Sequence, residues 1–327
     1  MVHHEVQNLA IAYVHFYVDD LPHWQTWFQQ ILGLTPQPPN PRFDHLPQSS
    51  VMLAGQGLNI VISAPTSPRD TVDQYLQKHP CGVADIAFFV DDLAPFAPPS
   101  FSENLLTIHN PAGFQHTLIR QTKPTSVNQT IDHLVLNVPQ GSLSTIADWY
   151  VNKFGFDRKQ SFQIKTSYSG LSSQVLKHPS GLQLPINQPG DRRSQIQEFL
   201  DHNGGAGIQH IALAQDNLPQ KIHHLRQQGL TFLDVPQTYY KNLLERHPHL
   251  QKLKAWPEVQ AEKILIDVVR SPQEMLLQIF TKPIFTEPTF FWEFIERKQQ
   301  AIGFGEGNFQ ALFEAIEQAQ KQRILTP

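Results

Sequence analysis

A short alternating strand recurs four times in this chain, and no other feature narrows its possible folds as much. GVADIAFFVDD, from Gly82, lies over GIQHIALAQDN, from Gly207, without a gap, and the same start returns as AIAYVHFYVDD from Ala10 and TIDHLVLNVPQ from Thr130. Such self-similarity marks one supersecondary unit copied along the chain, each copy relying on its neighbours to bury its apolar face. Apolar residues at helical spacing follow three of the strands: Trp24, Trp27, Phe28 and Ile31 before Gly33; Ile146, Tyr150 and Phe154 before Gly155; Leu218, Ile222 and Leu225 before Gly229.

Each unit then returns to strands. GQGLNIVISAP from Gly55, NPAGFQHTLI from Asn110, HPSGLQLPIN from His178 and SPQEMLLQIF from Ser271 share a turn followed by an alternating segment, the pattern of a hairpin entering a closing strand. The spacing predicts an α+β chain in which strand, helix and three strands repeat four times and pair into two halves. The joint is expected in the polar, proline-bearing segment Lys123–Gln129, which assigns residues 1–128 to one half and 129–327 to the other. Beyond Pro283 the plan leaves an extra element, TFFWEFIER, then a Gly-rich turn, GFGEGN, and an amphipathic helix carrying Phe309, Leu312, Phe313 and Ile316 on one face. Tyr239 to Glu262 is expected to be an inserted surface helix and loop.

With 327 residues, 40% of them hydrophobic, the chain can bury two cores without crosslinks. A charged fraction of 17% and a net charge of −4 offer no basic surface for nucleic acid or an anionic membrane, so the expected partner is small. The single cysteine, Cys81, excludes an internal disulfide and fits a reducing compartment. No apolar run approaches the length of a membrane span, and the start lacks a basic and then apolar leader, so a cytoplasmic protein is expected.

Of the 16 histidines, two stand out by symmetry. His133 and His210 occupy equivalent positions in the third and fourth strands, where the first and second carry Tyr13 and Asp85. Strict alternation puts Ile131, His133 and Val135 on one face, and Ile208, His210 and Ala212 on another, the two facing each other inside a barrel. Asp132 and Gln209 then point the opposite way, as supports of the ligands. Two neutral imidazoles and a carboxylate can hold a divalent metal facially, and the absence of nearby thiolates disfavours a closed zinc site. Three remaining positions suit non-haem Fe(II), with room for a bidentate substrate and O2. Glu293, set among Phe290, Phe291, Trp292, Phe294 and Ile295, is the candidate acid, since an ionised carboxylate buried there needs a cation. Taken without the histidines, it is equally a surface glutamate on an edge strand. Glu296 and Arg297 are expected to be the solvated end of that element.

The repeated unit resembles the βαβββ module of the vicinal-oxygen-chelate fold, in which paired modules form half-open barrels. The C-terminal half resembles the 4-hydroxyphenylpyruvate dioxygenase family in IDHLVLNVP, LPINQP, RRSQIQEFLDHNGGAGIQHIAL, FLDVPQTYY, LLQIFTKP, PTFFWEFIER and GFGEGNFQALFEAIE, in the family's order. The N-terminal half matches mainly in module plan. Leu136 departs from the glycine that many members carry, on the side away from the metal.

The resemblance implies that His133, His210 and Glu293 hold Fe(II), that Gln278 and Gln195 line the substrate pocket, and that Ser173, Asn187, Gln209 and Pro185 belong to it. It further implies an aromatic wall of Phe280, Phe291, Phe304 and Phe309, with Asn308 in a C-terminal gate, where the residue order also suggests a helix N-cap. The implied reaction is conversion of 4-hydroxyphenylpyruvate and O2 to homogentisate and CO2, without an organic cofactor, in a homo-oligomer. Rivals are a 4-hydroxymandelate synthase, whose branch tends to have a smaller aliphatic residue in place of Phe304, and a non-catalytic binding protein on the same fold. The remaining histidines, among them His3, His4, His116, His223, His224, His247 and His249, lack a symmetric partner and are expected to be bystanders.

Overall fold

The computed structural model describes residues 8–98, 103–121, 130–166 and 168–305, with 307–309, 311, 313, 316 and 320 of the C-terminal segment. The expected joint at 123–129, Leu312, His3 and His4 lie outside them.

Two curled mixed sheets dominate the structure. The first contains β1 (Leu9–Tyr17), β2 (Thr35–Pro36), β3 (Ser50–Gly55), β4 (Leu58–Ser63), β5 (Gly82–Val90), β6 (Leu105–His109) and β7 (Gln115–Arg120), in the order β2-β3-β4-β1-β5-β7-β6. The second contains β8 (Ile131–Asn137), β9 (Asp157–Lys165), β10 (Gly170–Lys177), β11 (Gln183–Pro189), β12 (Gly207–Ala214), β13 (Leu265–Val268), β14 (Met275–Phe280) and β15 (Phe291–Lys298), in the order β13-β14-β15-β12-β8-β11-β10-β9. In each sheet two recurring strands lie antiparallel at the centre, β1 with β5 and β8 with β12. Each is flanked by the parallel closing strand of its own unit: β4, β7, β11 and β15.

The helices follow the expected stripes. After α1 (Leu21–Leu32) and α2 (Thr71–Leu76) come α3 (Leu143–Phe154), α4 (Gln195–Asn203) and α5 (Leu218–Gln227), the last leading into an insertion with α6 (Gln237–Arg246) and α7 (Trp256–Ala261). Gly33 and Gly155 end α1 and α3 in the left-handed conformation, at φ 67° and 75°.

Two departures from the expected plan have physical reasons. Among the described residues the second unit has a turn rather than a helix after β5, and two strands rather than the expected three; its sequence at the turn, DDLAPFAPPS, carries prolines that interrupt helical hydrogen bonding. TFFWEFIER is not an addition: it is β15, the closing strand of the fourth unit, parallel to β12 with Glu293 opposite Ala212. The long insertion had displaced it from the position that the other units suggest. Among the described residues no helix is long and apolar enough to cross a membrane.

The halves meet through aromatic side chains. Phe16 packs against Phe290 at 5.2 Å between centroids, and Trp24 against Phe285 at 4.4 Å. Phe28 and Trp292 are completely buried in the same core. Aromatics bury the most area per residue, and their edge-on and tilted contacts add a further ~1 kcal/mol per pair.

Candidate metal centre

A β-bulge precedes each candidate histidine. On β12, Ile208 pairs with Leu136 and His210 with Val135, leaving Gln209 as the extra residue; on β8, Ala212 faces His133 and Leu213 faces Ile131, leaving Asp132 extra. A bulge interrupts alternation and re-aims the side chains beside it. As a result Ile131 and Ile208 join the outer core with Leu134, Leu136, Ile211 and Leu213, while His133, Val135, Gln209 and His210 face a cavity. The strict two-residue alternation expected from the sequence therefore fails at the site. Gln209 lines the cavity, and Asp132 touches His133 directly.

The three ligand candidates converge. Oε2 of Glu293 lies 3.1 Å from Nε2 of His133 and 3.4 Å from Nε2 of His210, and one donor atom from each residue falls within 4.8 Å of the others. Cis donors around a cation with bonds of about 2.1 Å stand roughly 3 Å apart, so the Glu293 carboxylate is close enough to each imidazole to share one cation with it. The donor set, two imidazoles and one carboxylate, suits a divalent transition metal.

Surrounding residues fix the orientation of each ligand. His133 donates from Nδ1 to Asp132 at 2.9 Å, which turns its Nε2 toward the site. Arg297 grips the Asp132 carboxylate at 2.6 and 2.7 Å. Gln278 donates from Nε2 to Oε1 of Glu293 and to the Phe304 carbonyl, both at 2.9 Å. With two acceptors before its nitrogen, the Gln278 amide must present Oε1 to Asn308, whose Nδ2 donates at 2.9 Å. Nδ1 of His210 has no hydrogen-bond partner among the described residues, and its ring lies nearly parallel to Phe291 at 4.8 Å.

Burial disfavours charge on His133, but Glu293 and Asp132 on either side more than offset it and raise the imidazole to about 9. Burial likewise pushes Glu293 up, but His133 and His210 hold it down at about 2. Burial lowers His210 despite Glu293, and Arg297 overcomes the burial of Asp132 to keep that acid well below the usual carboxylate range. A buried, ionised carboxylate sharing a proton with one imidazole is a site in which a divalent cation can replace that proton.

The cavity brings the expected residues together. Ser173, Asn187, Gln195, Gln209 and Gln278 supply its polar side, Phe280, Phe304 and Phe309 its aromatic side, and Pro185 lines it as well. Oγ of Ser173 is buried without a hydrogen-bond partner among the described residues. Phe291 stands behind His210, and Asn308 contacts Gln278, so both act on the cavity from its margin.

The comparisons with known proteins agree with this geometry. Residues 130–250 match the Glyoxalase/Bleomycin resistance protein/Dioxygenase superfamily. The chain is 36% identical over 320 residues to 4-hydroxyphenylpyruvate dioxygenase of Dictyostelium discoideum, covering 81% of this chain and 86% of that one. It belongs to the 4-hydroxyphenylpyruvate dioxygenase family. An uncharacterized protein of Synechocystis sp. is 34% identical over 338 residues, covering 96% of this chain and 99% of that protein. The chain spans about half the length of other dioxygenase relatives that it matches. In fold it is similar to a triple mutant of 4-hydroxymandelate synthase from Streptomyces coelicolor, with a TM-score of 0.83 and 24% identity over 96% of this chain and 99% of that one.

For this member of the family, several contributors are not evident from sequence reasoning. Phe162 stacks on Phe309 at 4.8 Å and lines the cavity with Ile164. Their signal was present, as two apolar residues at alternate positions in the otherwise polar strand DRKQSFQIK. Arg297 is not solvated but paired with Asp132, and Glu296 is buried, accepting from the backbone N–H groups of Asn217 and Leu218 to cap α5. Asn308 is not an N-cap: it lies within a helix that already includes 307, and Asp267 of β13 accepts from Gly307 N at 3.0 Å instead.

Proposed function

We propose that this dioxygenase-family protein converts 4-hydroxyphenylpyruvate and O2 to homogentisate and CO2, with Fe(II) held by His133, His210 and Glu293. The observation that carries this assignment is a buried cluster of two imidazoles and one carboxylate lining a cavity with an aromatic wall and neutral amides. His133, His210 and Glu293 would hold Fe(II), which would supply the redox chemistry that couples oxidative decarboxylation of a 2-oxo acid to reduction of O2 and hydroxylation of the ring.

The chain's own side chains set the outcome. Gln195, Gln209, Gln278 and Asn187 can hydrogen-bond the substrate's phenol without acquiring charge. Phe280, Phe304 and Phe309 exclude water from the reacting centre. Phe304 meets the His133 ring edge-on at 5.5 Å, so its bulk limits how far the substrate ring can move beside the metal ligands. Asn308, bonded to Gln278, holds the C-terminal segment over the cavity as a gate. On this assignment residues 129–327 form the catalytic half. Residues 1–128 form a structural half, whose equivalent interior positions are Tyr13, buried with Val61 and Phe89, and Asp85, buried where it accepts from the backbone N–H of Thr117.

The test is product identity after incubation with 4-hydroxyphenylpyruvate, Fe(II), ascorbate and O2. Homogentisate with one CO2 per turnover is expected. 4-Hydroxymandelate would replace the assignment with the synthase reaction, and no product from iron-loaded protein would overturn the substrate.

A further inference from the structure

Arg297 connects a metal-ligand candidate to the segment that closes the cavity. Its Nε and Nη2 donate to the two oxygens of Asp132, which accepts from Nδ1 of His133. Its Nη1 donates to the carbonyls of Ala301 and Gly303, both at 2.9 Å. The next residue, Phe304, is buried against the His133 ring. One guanidinium therefore binds the support of a ligand on one side and the approach to the cavity wall on the other.

The geometry favours a specific role over a surface ion pair. Asp132 is only 8% exposed at its side chain, and a buried carboxylate held bidentately tolerates little displacement. The guanidinium is planar with its donors in a fixed fork, so a shift of Asp132 must move or break the bonds to Ala301 and Gly303. A cation at Nε2 of His133 polarises the imidazole and strengthens its Nδ1–H bond to Asp132. Binding of that cation then favours the arrangement in which residues 301–305 lie down.

We propose that Arg297 is a positioning residue that makes metal loading at His133 and closure of residues 301–305 a single coupled event. The proposal rests on the assignment of His133, His210 and Glu293 as a metal site. Coupling is reciprocal: whatever loosens the segment weakens the metal, and the reverse.

Amide hydrogen exchange of residues 301–305, measured in the full-length protein with and without Co(II), tests it alongside a Co(II) affinity titration. In the unsubstituted protein Co(II) is expected to slow exchange about tenfold or more. Arg297→Gln is expected to bring that ratio close to one and to weaken Co(II) binding by about 10–100-fold. Arg297→Lys, which keeps the charge but not the fork, should recover only part of both. Asp132→Asn repeats the measurement if the melting curve shows Arg297→Gln to be unfolded. Unchanged Co(II) affinity and unchanged metal-dependent protection in a folded variant would overturn the coupling. An unsubstituted protein that takes up no Co(II) would overturn the metal assignment itself, which the first titration reveals before any variant is compared.

Discussion

A β-carbon at Gly305 would sit 1.7 Å from Oε1 of Gln278, so the closing turn passes directly over the amide that supports Glu293. Gly307 is equally constrained, since its β-carbon would meet Oδ1 of Asp267 at 2.3 Å. The glycine run GFGEGN thus records close approach to two side chains rather than binding of a phosphate.

Gly305→Ala is accordingly expected to displace Gln278 and to strain a residue held at φ 75°. We expect a stability loss of about 1–3 kcal/mol and a fall in kcat/KM of at least tenfold. Thermal melting and steady-state kinetics check both. Gly113→Ala, also at positive φ (86°) but with nothing within 4 Å, should show the strain without the kinetic loss.

Ser173→Ala removes a buried hydroxyl that has no hydrogen-bond partner among the described residues. The melting temperature should stay within a degree or two. If that hydroxyl bonds the substrate, kcat/KM should fall by about 3–10-fold, the value of one neutral hydrogen bond. An unchanged kcat/KM would remove Ser173 from the pocket's working set.

The ligand set can be tested without turnover. Co(II) at 100 times its dissociation constant should stabilise the protein by about 2.7 kcal/mol, and a chelator should reverse the gain. His133→Ala, His210→Ala and Glu293→Ala should each abolish the metal-dependent rise in melting temperature together with activity. A variant that keeps both would not be missing a ligand.

Asp85, on β5 of the first sheet, is expected to give stability a pH dependence. Burial pushes its carboxyl up to about 7, and the hydrogen bond from Thr117 N to Oδ1 offsets that only in part. The folded pKa lies above the ordinary value of 3.8, so the folded state binds the proton more tightly than the unfolded one. This group's contribution therefore weakens as pH rises from about 4 through about 7, and then levels off. Asp85→Asn should flatten that part of the stability profile and raise stability above pH 7 by up to ~4 kcal/mol. Denaturant melts at pH 5 and pH 8 compare the two proteins.

Sequence alone determined the repeated unit and the placing of His133 and His210 at equivalent positions of two recurring strands, because periodicity and self-similarity are properties of the linear chain; the antiparallel pairing of those strands at the centre of each sheet came from the structure. The sequence also pointed to Glu293, an acid among five apolar neighbours, as a residue in need of a cation. The tertiary structure decided what periodicity cannot express. Bulges at Asp132 and Gln209 changed which side chains face the cavity, because an unpaired residue depends on the register of the partner strand. The roles of Arg297, Asp267 and Gly305 follow from contacts between segments distant in the chain, and only packing brings those segments together.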